Sequence, residues 1–151
     1  MKQTAFITGA TSGIGKATAT IFAKNNIRLI LCGRRIEKLK ELEKELGTYT
    51  DVTTLSFDVS KREDVKNAVN SLPENFKKID ILINNAGNAH GLSSIQEGNI
   101  DDWDAMIDSN VKGVLYVTKA IVPQIAPTHR ADRQTRQVVP GRQVHPPQSR
   151  P

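Results

Sequence analysis

The sequence predicts an α/β domain built on a doubly wound parallel sheet, and three observations carry that expectation. Short apolar segments alternate with amphipathic segments of helical period from Gln3 to Val122. The short segments are apolar on both faces, the pattern of strands covered by helices on each side. The first of them runs directly into Thr8-Gly-Ala-Thr-Ser-Gly-Ile-Gly15, a glycine-rich junction between a strand and a helix.

The elements follow in order. Gln3 to Thr8 is expected as a buried strand, and Ile14 to Lys24 as a helix with Ala17, Ile21 and Phe22 facing inward. Arg28 to Cys32 is a second strand. Glu37 to Leu46 is a charged helix with Leu39, Leu42 and Leu46 at helical spacing, closed by Gly47. Val52 to Phe57 is a third strand, and Asp64 to Leu72 a third helix stopped near Pro73. Ile79 to Ile83 is a fourth strand, apolar apart from Asp80. A loop from Asn84 to Gly98 leads into a long helix from Asp101 to Val122. A doubly wound fold implies the strand order 3-2-1-4, and the crossovers are expected to be right-handed. The fourth strand is then expected to be an apolar edge.

Composition narrows the classes. A chain of 151 residues with 38% hydrophobic content suits one domain, here residues 1–124, and has no apolar run long enough for a membrane span. Met1-Lys2 leads at once into the first strand, so no signal peptide is expected. One cysteine, Cys32, fits a reducing cytoplasm, and no metal site is expected. The net charge of +5 sits unevenly: Ile125 to Pro151 holds five arginines and one aspartate, leaving the body nearly neutral. Five of the seven prolines lie in the same segment, which has no lysine and no hydrophobic period. It is expected to be a disordered tail. It has no aromatic residue for base stacking and its charges are sparse, which argues against nucleic acid as a partner.

The glycine-rich junction carries chemistry. Gly9 permits a tight turn, and Gly13 and Gly15 let the backbone and the next helix approach closely. The free N–H groups and positive dipole end of that helix then face a phosphate, the arrangement that holds a dinucleotide pyrophosphate. After the second strand the chain reads Cys32-Gly-Arg-Arg35. No carboxylate is present to take a ribose hydroxyl pair, whereas Arg34 and Arg35 can clamp a 2′-phosphate, so the cofactor expected is NADP.

With Asn84-Asn-Ala-Gly87 added, the chain resembles the classical short-chain dehydrogenases/reductases, a Rossmann-like family. The resemblance rests on Thr8 to Gly15, Asp58-Val59 after the third strand, Asn84 to Gly87 after the fourth and Asn110 in the long helix. It covers Met1 to about Gln124. It implies that Thr8, Gly9, Thr11, Ser12, Gly13, Ile14 and Gly15 form the cofactor turn. Asp58 would accept from the adenine amino group beside the Val59 backbone. Asn85, Ala86 and Gly87 would pass the cofactor ribose, while Asn84 would fix strand geometry. Ser60 rather than Asp58 is expected to cap the following helix. The Gly-Arg-Arg turn, the loop through His90 and the stretch Asp102 to Asn110 look most like the NADP-dependent 3-hydroxy acid dehydrogenases acting on serine or allo-threonine.

The resemblance also implies a catalytic tetrad of asparagine, serine, tyrosine and a lysine four residues after the tyrosine. Asn110 matches the asparagine. The other three have no match: Tyr49 is followed four residues on by Thr53, and Tyr116 by Ala120. The fold is therefore expected to stop after the fourth strand and the long helix, with no turnover from this chain. A non-catalytic NADP-binding or regulatory fragment is the other reading. Read one base forward in degenerate codons, Arg130 to Arg136 can spell Gly-Arg-Ile-Val-Lys-Leu, which the family places in its fifth strand. A frameshift near Ile125 to Pro127 is the expected origin of the tail. In the family the long helix commonly forms a dimer interface, so Asp101 to Val122 is a candidate homo-oligomer surface. The small hydroxy or keto substrate belongs to the intact family only.

Overall fold

The computed structural model describes residues 2–91 and 93–125. The expectations for the tail beyond Ile125 lie outside these residues, as does Leu92 in the loop from Asn84 to Gly98. Four parallel strands, β1 (Thr4–Thr8), β2 (Arg28–Gly33), β3 (Val52–Ser56) and β4 (Ile81–Ile83), form one sheet in the order β3-β2-β1-β4. Phe6 lies opposite Ile30 on one side and opposite Leu82 on the other.

Alternation along the central strands splits the core into two layers. Ala5, Ile7, Leu29 and Leu31 face α1 (Gly13–Lys24) and α2 (Ile36–Leu46), meeting Ala19, Ala23, Leu39, Leu42 and Leu46. Phe6, Ile30 and Cys32 face α3 (Arg62–Asn70) and the last long helix, meeting Val65, Val69, Val117 and Ile121. The inward leucines of α2 are those expected. Gly47 follows α2 directly but is right-handed (φ −61°), so the helix ends without a left-handed glycine turn.

The inward face of α1 differs from the expected one. Gly15, Ala19 and Ala23 point inward, Ala17 and Ile21 point outward, and Phe22 is half-buried. Ile21 is 60% exposed and Ile14 is 78% exposed. The reason lies at the first turn, where a Cβ on Gly15 would collide with the Gly9 carbonyl oxygen. Close approach of the helix to the β1 turn sets Gly15 inward, and the residues four and eight positions on follow it. At the other end Asn26 is left-handed (φ +60°), with its N–H on Ala23 O and the Ile27 N–H on Phe22 O, the paired bonds of a Schellman cap.

Two further boundaries move. β4 begins at Ile81, because the Asp80 carboxylate takes the Thr4 N–H (2.9 Å) that a regular ladder would give to a carbonyl. Ile79 instead forms a lone parallel bridge to Ile125. Helix α3 starts at Arg62, capped by Lys61 without a side-chain bond, so Ser60 is not its cap. The expected long helix is helical from Ile100 to Gln124 but not uniform. It comprises α4 (Ile100–Ile107), a widened π-helical turn (Asp108–Lys112), α5 (Gly113–Ile121) and a 3₁₀ turn (Val122–Gln124). Among the described residues no helix is long and apolar enough to cross a membrane.

Candidate functional site

The chain runs outward from β1 to β3 on one side and returns to β4 on the other. The carboxyl ends of β1 and β4 therefore flank a topological switch point. A cleft of about 420 Å³ opens over these strand ends. Gly9, Thr11 and Ser12 line it from the β1 turn, and Arg34 and Arg35 from the β2 turn. Asp58 and Val59 follow β3; Asn85, Ala86, Gly87 and Asn88 follow β4. Ser109 contributes from the π-helical turn, and Cys32, Gly33 and Phe57 complete the wall. Ten of the residues expected at a cofactor site thus meet at one cleft.

The β1 turn is shaped for close approach. Gly9 is left-handed (φ +64°), and a Cβ there would stand 2.8 Å from Ala86 Cα, so the turn lies directly against the β4 loop. Gly13 is left-handed as well (φ +54°), with open space where its side chain would be. Ser12 sits at the N-cap of α1 in an extended conformation and makes no side-chain cap bond. The first-turn N–H groups of this 12-residue helix are thus left without a side-chain acceptor, as an anion site requires. Gly13, Ile14 and Gly15 stand at that helix end and are not part of the cleft wall.

Thr8 and the side chain of Asn85 act inside the protein rather than in the cleft. Thr8 is buried, and its hydroxyl accepts the N–H groups of Asn85 and Ala86 (3.0 Å each) while donating to Ile83 O at 3.4 Å. The Asn85 amide donates to the carbonyls of Thr8 and Gly9, at 3.0 Å each. These bonds staple the ends of β1 and β4 together and hold the two loops that follow them in register. Asn84 fixes the strand end, as expected, by donating to Thr118 Oγ1 of α5 at 3.0 Å.

Charge is distributed around the cleft with a clear sense. The Arg35 guanidinium crosses to the β1 turn, its Nη2 donating to Thr11 Oγ1 (2.6 Å) and Ser12 Oγ (3.0 Å). Neither Arg34 nor Arg35 forms a salt bridge among the described residues. Partial burial pushes the Asp58 carboxyl up. The N–H and hydroxyl of Ser60 on Oδ1 (2.9 and 2.8 Å), with the charges of Arg34 and Lys61, outweigh burial and hold it below its ordinary value. Asp58 is therefore a carboxylate at neutral pH, suited to accept from an amino group. Burial pushes the Cys32 thiol well up, which leaves it protonated and unreactive.

Asn110 lies in the widened turn and does not line the cleft. Its amide donates to Asn88 O (2.7 Å) and accepts the Asn88 N–H (2.9 Å). Ser109 donates to Asn88 Oδ1 at 2.6 Å, and the Asn88 amide meets His90 Nε2 at 3.0 Å. Ser109 and Asn88 are site residues that the sequence reading missed. Asn88 could have been found by its place after Asn84 to Gly87. Ser109 could not, because nothing in a helical period announces a π-helical turn.

Comparison with known proteins accords with this geometry. The sequence profile of the short chain dehydrogenase family matches residues 3–135. The NADP-dependent 3-hydroxy acid dehydrogenase of Salmonella typhi is 40% identical over 124 residues, which are 82% of this chain and 49% of that protein. Serine 3-dehydrogenase of Rhizobium radiobacter is 42% identical over 125 residues, 83% of this chain and 49% of that protein. The closed form of a serine dehydrogenase complexed with NADP+ superimposes with a TM-score of 0.75 at 38% identity, covering 81% of this chain and 48% of the other. The chain spans about half the length of the curated relatives it matches. Its sheet order, its cleft and the 3–135 match together make it a member of the short chain dehydrogenase family.

Proposed function

We propose that this chain binds NADP(H) in the cleft over β1 and β4. The observation that carries the reading is the turn after β2, where Arg34 and Arg35 line the cleft and no carboxylate stands in their place. The residues present fit the group. An uncapped helix end and a turn that lacks side chains at Gly9 and Gly13 suit a pyrophosphate, two guanidiniums suit a 2′-phosphate, and the Asp58 carboxylate suits the adenine amino group. When bound, the nicotinamide donates or accepts a hydride. The chain's own residues bind and orient: Gly9 brings its backbone close, Asp58 and Val59 position the adenine, and Ala86 and Gly87 border the ribose.

The activity we assign to the intact enzyme is NADP-dependent oxidation or reduction of a hydroxyl or carbonyl substrate such as a 3-hydroxy acid. This chain alone has no turnover, because neither Tyr49 nor Tyr116 has a lysine four residues on to lower its pKa. It acts as the NADP-binding part, residues 1–124. Ile107, Val111, Leu115 and Val122 form an exposed apolar stripe along the last helical run, which supports self-association there. The out-of-frame origin of the tail is tested by resequencing through the codons after Val122. An open shifted frame encoding a serine and a Tyr-x-x-x-Lys element supports it, and an early stop refutes it.

The binding reading is tested by titrating the 151-residue chain with NADPH and NADH, unmodified and with Arg34→Ala and Arg35→Ala together. The substitutions weaken NADPH more than NADH; equal loss removes the 2′-phosphate assignment. Measurable NADP+ reduction with serine or another 3-hydroxy acid removes the claim of no turnover.

A further inference from the structure

The two arginines after β2 are not equivalent. Arg34 faces Asp58 across the cleft and lowers its pKa by charge alone. Arg35 is tied down: its Nη2 bonds both hydroxyls of the β1 turn, Thr11 Oγ1 at 2.6 Å and Ser12 Oγ at 3.0 Å. Arg35 also occupies the N-cap of α2, where the helix dipole opposes a cation. The two hydroxyl acceptors offset that opposition. Ser12 Oγ accepts from Arg35 and makes no cap bond to the first turn of α1. Gly33 completes the arrangement, since a Cβ there would come within 3.2 Å of Thr11 Cγ2. The missing side chain lets Thr11 lie against the strand end and aim its hydroxyl at Arg35.

We infer that Thr11, supported by Ser12 and Gly33, is a positioning residue that presents Arg35 to the 2′-phosphate of NADP(H). A free arginine side chain samples many rotamers, and ordering it at the moment of binding costs affinity. Here the guanidinium is held before the ligand arrives, and the three N–H groups on Nε and Nη1 are not used by Thr11 or Ser12. Preference for NADP(H) over NAD(H) then depends on a hydroxyl at position 11 as well as on the charge at position 35. This inference rests on the NADP(H) reading above.

The test is the ratio of NADH to NADPH dissociation constants, measured by fluorescence titration of the full chain. The proteins compared are unmodified, Thr11→Val, Thr11→Ser, Ser12→Ala and Arg35→Ala. Thr11→Val keeps the shape and removes the acceptor, and it lowers the ratio about tenfold, the worth of one hydrogen bond to a charged group. Thr11→Ser restores it. Ser12→Ala lowers it by a smaller factor, and serves as the second probe if Thr11→Val fails to fold. A ratio unchanged in Thr11→Val and Ser12→Ala but abolished in Arg35→Ala overturns the positioning role while leaving the NADP(H) reading intact. An unmodified chain with no preference for NADPH overturns both.

Discussion

Asn110 holds Asn88 by both ends of one amide, donating to its carbonyl at 2.7 Å and accepting its N–H at 2.9 Å. Its neighbour Ser109 holds the side chain of the same residue. Consecutive residues of a regular α-helix point roughly 100° apart. Both reach Asn88 here from a widened turn, a feature that recurs at functional sites. The turn thus fixes the loop after β4, including Gly87, where a Cβ would stand 3.0 Å from Asn110 Oδ1.

Replacing Asn110 by alanine frees both backbone groups of Asn88. The site is exposed, so water takes them up, and the loss of stability is about 1 kcal/mol. The sharper readout is hydrogen exchange at the Asn88 amide, which speeds up in N110A. Unaltered exchange there contradicts the clamp.

Gly9 and Gly13 are both left-handed but differ in surroundings. Gly13→Ala costs about 1 kcal/mol for the backbone conformation alone. Gly9→Ala adds a contact of 2.8 Å with Ala86 Cα and costs at least about 2 kcal/mol. Urea unfolding of the two variants separates them, and equal losses contradict the packing of the β1 turn against the β4 loop.

Asp58 carries a pH signature. Its folded pKa is depressed, so its contribution to stability is present above the unfolded carboxylate value and is lost as pH falls below about 4. Melting temperatures of the unmodified chain and Asp58→Asn, compared from pH 7 to pH 3, converge at the acid end. A gap that widens toward acid has the wrong sign for this assignment. Under the proposed adenine contact of Asp58, the same substitution weakens NADPH and NADH alike, since both carry the adenine.

The orientation of α1 is open to a direct check. Ala19 is fully buried against the sheet, and Ala19→Leu overpacks the layer at a cost of about 1–3 kcal/mol. Ile21→Ser, on the outer face, changes stability by no more than about 0.5 kcal/mol. A large loss from Ile21→Ser with a small one from Ala19→Leu indicates the opposite face.

Much of the site was legible because its motifs are local. Gly9 to Gly15, Arg34-Arg35, Asp58-Val59 and Asn85 to Gly87 each sit at the end of a strand, and a parallel sheet brings those ends to one edge. The roles within the motifs were less legible. Thr8 and Asn85 belong to the expected cofactor residues, and the sequence did not announce that their side chains also form the β1–β4 staple. The family resemblance gave Asn110 a catalytic role, and its amide bond to Asn88 was not announced by the sequence. Which partner a side chain finds depends on atoms distant in sequence, and period and spacing do not report those.

By itself the sequence determined the strand and helix order, the glycine-rich turn and the arginine pair, because hydrophobic period and glycine placement act over a few residues; the sheet order β3-β2-β1-β4 followed only from the doubly wound fold type those elements imply. Only the tertiary structure decided the rotation of α1, the start of β4, the widened turn at Asn110 and the tie from Arg35 to Thr11. Each of these turns on one close contact across the fold, where a fraction of an ångström or a single acceptor selects between arrangements that local sequence leaves nearly equal.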